Sequence, residues 1–563
     1  MLFDCRGFMQ KIIMSFLLLS SFIWSQTFQV GKNGAVASAS KQASDVGIEV
    51  LKNGGNAVDA AIAVGFALTV VYPPAGNIGG GGFMLIHSPE GAVTAIDFRE
   101  KAPHAARRDM YLDESENPVD GLSTEGALAV GVPGSVAGYE YARQHYGSLK
   151  WNELLAPAIK LAEDGFPVSY YIHEGLRDHQ NLMRRFPASV DMFYPNGSVP
   201  AIGDMLRFSD LTATLKRIAK QGAEEFYRGQ TARQLVKAVR DNGGIIDLWD
   251  LQHYEVKERK PINFTYRGYD IYSMPPPSSG GVCLAQILKI VEKFPLAGYG
   301  FHASQSIRII TEAERRVYAN RAHFLGDPDF ISVPVDYLLS AELINAMAKS
   351  IDIKKATPSH EVDHAPLPES EETTHFSVID KDGWAVAVTT TLNSSYGSGF
   401  VAGKTGILLN NEMDDFSIKT GASNIYGLVG AEANAIQPQK RMLSSMTPTI
   451  VCRNDSLMWV FGTPGGGTII TTVAQVLINM IDYNMTLVQA VDAPRFHHQW
   501  WPDVIFIEKY SISSDMRNIL KDGGYPIRER SPIGDINAIG IDWKNRNYIA
   551  VPDKRRQSAA SVY

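Results

Sequence analysis

The segment from Lys354 to Glu372 is the feature that most constrains this chain. It is rich in Pro, His, Ser and acidic residues and carries almost no apolar periodicity. A structureless stretch of that length inside a globular chain is a functional or linker loop, and such loops are where chains are cut. Directly after it, residues 374–380 alternate apolar and polar, Asp382-Gly383 gives a turn signal, and residues 384–392 alternate again. The chain must leave its core, make an excursion, and return straight into a β-hairpin. A loop centred on Asp382 sets Thr373 opposite Thr391, because residues equidistant from the centre face each other at about 4.5–5.5 Å between Cβ atoms. A two-residue loop would shift the pairing by one.

That placement gives Thr373 a chemical option. An unaided Thr hydroxyl is a poor nucleophile, but a Thr at a chain terminus carries its own base in the α-amino group. That amine titrates near about 7.7–8.0, so part of it is neutral at pH 7. Thr373 is internal, so this chemistry requires cleavage after Glu372. On pattern alone, a structural Thr at a strand start remains open.

The rest of the chain frames the hairpin. A helix is predicted over 43–51, and a second, mostly apolar and therefore buried, over 57–70, ended by Pro73-Pro74. The run Gly79 to Gly82 leads into a strand at 83–86, whose hairpin partner is 92–98, with Arg99 at its exit. Residues 125–350 read mainly as helices, including 151–163 and 231–242, with a strand at 269–273. A strand at 458–461 leads through Gly462-Thr463-Pro464-Gly465-Gly466-Gly467 into a helix over 468–481. Strand, glycine loop and helix N-terminus make a pocket of backbone N–H groups. The loop lacks the Lys of a phosphate-binding loop, and we read it as an oxyanion site.

Other chemistries find little support. The 563 residues are 45% apolar and 20% charged, with a formal net charge of −7, which argues against a broad nucleic-acid surface. Cys283 and Cys452 have no zinc-ligand spacing and read as buried thiols, with a single disulfide as the alternative. His497-His498 reads as structural rather than as a metal pair. No GxSxG elbow is present. Asp414 and Asp415 read, on their own, as a surface pair. At the N-terminus, Lys11, the apolar run Ile12 to Trp24 and Ser25 form a signal-peptide pattern too short to span a bilayer comfortably.

Several stretches, in order, resemble the γ-glutamyltransferase (γ-glutamyl transpeptidase) family of N-terminal-nucleophile hydrolases. They are Asp97-Phe98-Arg99-Glu100, Thr373 to Val378, Thr391-Leu392-Asn393, Asn410 to Phe416, Ser444 to Pro448, Pro464-Gly465-Gly466 and Ala493 to His498. The resemblance runs from about residue 34 to about 554. It implies an α+β fold, a four-layer αββα sandwich whose single core is shared by two autoproteolytic fragments. Residues 1–25 would be a leader, 26–372 the large fragment and 373–563 the small one, paired as a heterodimer. The resemblance further implies that Thr373 attacks Glu372 to cut the chain and then carries the acyl group. Thr391 would hydrogen-bond its hydroxyl, and Gly465 and Gly466 would form the oxyanion hole. Arg99, Ser444 and Ser445 would hold the α-carboxylate of a γ-glutamyl donor such as glutathione, and Asn393, Glu412 and Asp415 its α-amino group. Tyr426 would gate the pocket from a lid over 420–430. No metal or organic cofactor and no stable membrane insertion is implied, and the protein would be periplasmic or secreted. Departures are Gly467-Thr468 where relatives commonly have a Ser-Arg type pair, Glu412 where some have Gln, and a tail at 553–561 poor in glycine.

Two rivals follow. A cephalosporin (glutaryl) acylase would share Thr373 and self-cleavage but take a side chain without an α-amino group. A non-catalytic secreted binding protein would keep the fold and bind without turnover.

Overall fold

The computed structural model describes residues 28–362, 373–421, 424 and 426–563. The leader and Glu372 lie outside the described residues.

Two seven-stranded antiparallel sheets carry the fold. In the first, the strands run in the order 559–562, 34–38, 374–380, 385–391, 81–87, 93–98 and 257–259. In the second, the order is 29–31, 547–552, 537–542, 456–462, 449–453, 269–273 and 262–266. Strands from before and after residue 373 interleave in both sheets, so neither part has a core of its own.

Alternation along the strands explains the layering. Ala35, Ala37, Leu85, Ile379, Ala385 and Ala387 turn to one face and pack on Ile450, Leu457, Val460, Ile539 and Ala550 of the second sheet. Their neighbours Val36, Met84, Ile86, Val378, Val386 and Val388 turn to the other face and pack on the helices at 41–52, 57–71 and 151–164. The second sheet likewise offers Ile271, Val451, Phe461 and Ala538 to the helices at 280–291, 304–324 and 468–481. Helices, sheet, sheet, helices is the expected four-layer sandwich.

Helix Ala57–Val71 is buried along its whole length, as its mostly apolar sequence requires. Asn56 and Asp59 form a reciprocal capping box at its start. The Ala57 N–H donates to Asp380 Oδ2 at 2.8 Å, while Asp380 Oδ1 accepts from the N–H groups of Asp382 and Trp384. One carboxylate thus ties the hairpin turn to the helix that backs it. The hairpin has the register expected from a loop centred on residue 382, with Thr374 opposite Thr390 and Ile379 opposite Ala385. Its strands are third and fourth of seven, so its open end lies in the middle of the sheet. Cys283 and Cys452 are free and buried, which removes the disulfide alternative. Among the described residues no helix is long and apolar enough to cross a membrane.

Candidate active site

The open end of the hairpin enters a tight cavity of about 20 Å³. Its walls include Thr373, Thr391, Asn393, Arg99, Glu412, Asp415, Tyr426, Ser444, Ser445 and Gly466. Gly465 is not among the walls. Continuing the observed register by one residue sets Thr373 against Thr391. Both are buried. Thr391 Oγ1 accepts the Asn393 N–H at 2.7 Å, which leaves the hydroxyl its proton to give.

The glycine loop rises from the second sheet and faces the hairpin end. Gly465 has φ +136° and Gly466 φ +51°, which side-chain-bearing residues rarely adopt. A Cβ on Gly466 would stand 2.6 Å from the Tyr426 ring. Two threonines hold the loop. Thr463 Oγ1 donates to Pro464 O at 2.8 Å and accepts the Asp535 N–H at 2.7 Å. Thr468 Oγ1 donates to Gly465 O at 2.8 Å. Thr468, one of the departures from the family pattern, therefore secures the loop through its backbone.

Charge dominates the other wall. Arg99 is fully buried and its guanidinium pairs directly with Glu412 and Asp415, with Glu100 at 3.4 Å. Its N–H is fixed by Asp97 Oδ1 and its Nε by Met442 O. Burial would lower the pKa of Arg99, but the carboxylates Glu412, Glu100 and Asp415 outweigh it and raise it. Burial lifts the carboxyl groups in turn: Glu100 to about 7, and Glu412 and Asp415 above their ordinary range despite Arg99. The sequence resemblance assigns Arg99 to a donor's carboxylate and Glu412 and Asp415 to its ammonium. Here these groups touch one another, because buried opposite charges lower each other's desolvation cost. The cluster therefore presents both signs of charge to one cavity. The surface-pair reading of Asp414 and Asp415 fails: Asp414 is buried and accepts the Ser123 hydroxyl at 2.7 Å, and Asp415 faces the cavity.

Arg321 was not expected and lines the same cavity. It donates from Nε to Ser279 Oγ at 2.9 Å and from Nη2 to Ser445 Oγ at 3.1 Å. Burial lowers its pKa, and it is a second cation on the Ser444-Ser445 side. One of four Arg residues on a long helix, it gives no local signal of this. Leu428, Met446 and Ile469 supply the apolar wall. Tyr426 lines the cavity, its hydroxyl donating to Asn393 O. Asn424 Nδ2 donates to Asp415 Oδ1 at 2.9 Å, so the same segment reaches the charged cluster. His497 and His498 are fully buried and bonded to Thr471, Gln499 and Asp503, a structural use of both.

Comparison with known proteins agrees with this geometry. The description of the gamma-glutamyltranspeptidase family matches residues 43–563. The chain is 48% identical to the glutathione hydrolase proenzyme of Escherichia coli (strain K12), over 91% of this chain and 88% of that one. It is 38% identical to the glutathione hydrolase proenzyme of Bacillus subtilis (strain 168), over 94% and 92%. Among solved structures, cephalosporin acylase from Bacillus halodurans superposes with TM-score 0.84 at 26% identity, over 96% of this chain and 98% of that one. Helicobacter pylori gamma-glutamyltranspeptidase superposes with TM-score 0.58 at 45% identity, over 59% and 95%. Motif order, four-layer core and the match over residues 43–563 agree: the chain belongs to the gamma-glutamyltranspeptidase family.

Proposed function

We propose that this protein is an autoprocessing γ-glutamyltransferase and glutathione hydrolase. The observation that carries the reading is one cavity in which Thr373 and the Gly466 backbone face Arg99, Asp415 and Ser445. Nucleophile, oxyanion donor and zwitterion clamp are then within reach of one small substrate.

In maturation, Thr373 Oγ attacks the carbonyl carbon of Glu372 and the Thr373 nitrogen leaves, giving an ester. Water hydrolyses it, so Glu372 ends in a carboxylate and Thr373 gains a free α-amine. The amine then takes the Thr373 hydroxyl proton as Oγ attacks the γ-carbonyl of the donor. Thr391 donates a hydrogen bond to that Oγ and steadies it. N–H groups of Gly465 and Gly466 stabilise the tetrahedral oxyanion. Arg99, Ser444 and Ser445 hold the donor's α-carboxylate, and Asn393, Glu412 and Asp415 its ammonium. The proton passes to the departing amine, cysteinylglycine when the donor is glutathione. Water or an acceptor amine then takes the γ-glutamyl group from the Thr373 ester. Tyr426 serves as the lid. The two fragments stay together as a heterodimer, consistent with strands that interleave in both sheets. Export through the leader at 1–25 places the enzyme in the periplasm or outside the cell.

The glutaryl acylase reading has the superposition on cephalosporin acylase behind it. Glu412 and Asp415 oppose it, since a glutaryl group brings no ammonium to them. The test is turnover by the full-length protein. Glutathione should yield glutamate, and a dipeptide acceptor should divert the γ-glutamyl group to a new peptide. Glutathione bound but unchanged would establish a binding protein instead.

A further inference from the structure

Behind the lid runs a buried hydrogen-bond relay that the mechanism above does not use. Gln499 Nε2 donates to the carbonyl of Tyr426 at 3.1 Å. A carbonyl can only accept, so the amide nitrogen faces it and Gln499 Oε1 must point the other way. There, Oε1 meets His497 Nε2 at 2.8 Å, so Nε2 carries the imidazole proton. His497 Nδ1, left as the acceptor, lies 2.8 Å from the Thr471 hydroxyl. Thr471 belongs to the helix that follows the glycine loop.

Four features make this relay more than packing. Gln499 is 3% exposed and His497 0%, so an unmatched donor or acceptor here would not be repaired by bulk water. Gly467 leaves the amide its space: a Cβ there would stand 2.6 Å from Gln499 Oε1 and 3.3 Å from Leu428 Cδ2. Burial holds the pKa of His497 down near about 3, so its single proton and the direction of the relay are fixed across the neutral range. The relay ends on the lid backbone of Tyr426, whose hydroxyl reaches Asn393 O on the opposite side of the cavity. The lid is thus held at both ends of one residue: by its hydroxyl in front and by its carbonyl behind.

We propose that Gln499 is a positioning residue for donor binding, a latch that holds Tyr426 closed through its main-chain carbonyl while His497 fixes the orientation of the amide. This rests on the reading of Tyr426 as the lid. Gln499 touches neither donor nor nucleophile, so its loss acts on closure of the pocket and not on bond-making.

The test is a double-mutant cycle in the matured, full-length enzyme with a γ-glutamyl anilide as donor. Gln499→Leu should raise donor KM roughly five- to tenfold, the worth of one buried hydrogen bond, with kcat within about twofold. Gln499→Glu, which cannot donate to the Tyr426 carbonyl when ionised, should raise KM at neutral pH and recover toward wild type as the pH falls and the carboxyl is protonated. A general packing defect would not titrate. Tyr426→Ala should raise KM by itself, and adding Gln499→Leu to it should change nothing further. If Gln499→Leu keeps its full effect in the Tyr426→Ala background, or lowers kcat instead, the latch is wrong and Gln499 acts through the glycine loop. If Tyr426→Ala leaves KM unchanged, the lid reading fails first. If the wild type does not turn over the anilide, the proposed function itself fails. Thermal midpoints of all variants identify any misfolded sample.

Discussion

Asp415→Asn separates the two ends of the donor. Asp415 stands against Arg99 Nη2 and takes the Asn424 amide at 2.9 Å, with its side chain 10% exposed. Removing one member of a buried charge pair costs about 3–5 kcal/mol, and Asn keeps the shape and one acceptor. The loss for a substrate whose ammonium relied on Asp415 is therefore about 2–4 kcal/mol. At 1.4 kcal/mol per decade this is a roughly 30- to 700-fold fall in kcat/KM. Arg99 keeps Glu412 and Glu100, so the carboxylate end of the site survives. The assay is parallel hydrolysis of γ-glutamyl and glutaryl anilides by the matured variant. The glutaryl substrate has no ammonium and should change by no more than about threefold, or improve, so that the selectivity narrows. An equal fall for both substrates would refute the assignment and make Asp415 a structural partner of Arg99.

Three further outcomes are expected. Gly466→Ala, placing a Cβ against Tyr426 at a φ of +51°, should cut kcat by about 10²–10³-fold, as for loss of an oxyanion donor, and a change under about threefold in steady-state kinetics would sink that role. Asp503 in the C-terminal part accepts the Ser359 N–H from the N-terminal part at 2.7 Å and pairs with Arg315. Burial alone would raise its pKa, but these contacts and the adjacent His498 outweigh that and hold it well below the usual carboxylate range. A folded-state pKa below the unfolded one gives stability that is present above about pH 4 and lost as pH falls through the folded-state pKa. Acid unfolding should therefore begin at higher pH than neutral packing alone would give, and Asp503→Asn should flatten the curve in that window. Phe66→Ala, in the helix behind the catalytic hairpin, removes a fully buried ring packed edge-on against Tyr139 and Trp151 and should cost about 3–5 kcal/mol, read as a lower thermal midpoint.

Local features of this fold were legible because they are written in short-range pattern. Asp382-Gly383 between two alternating runs left two registers one residue apart, of which the loop centred on residue 382 is the one observed, and the mostly apolar run at 57–70 announced a buried helix. The glycine loop was legible as a turn of exposed N–H groups at a helix start. The pairing of two sheets was not, because strands 29–31 and 547–552 lie side by side while more than 500 residues apart in sequence. The cavity shows the same divide. Chain-local chemistry raised Thr373, its neighbour Thr391 and the glycine loop only as candidates, and their roles, like those of Asn393, Glu412, Asp415, Ser444 and Ser445 and the carboxylate-binding role of Arg99, came by resemblance. Arg321 and Gln499 were missed altogether. Each is one polar residue among several in a segment without a motif of its own, and only tertiary packing brings it to the site.

The most direct measurement is the intact masses of the purified wild type and of Thr373→Ala, side by side. The account predicts two fragments from the wild type, the smaller beginning at Thr373, and one uncut chain from the variant. A single uncut chain in both samples, from folded protein, would leave Thr373 without its α-amine and contradict the account at its centre.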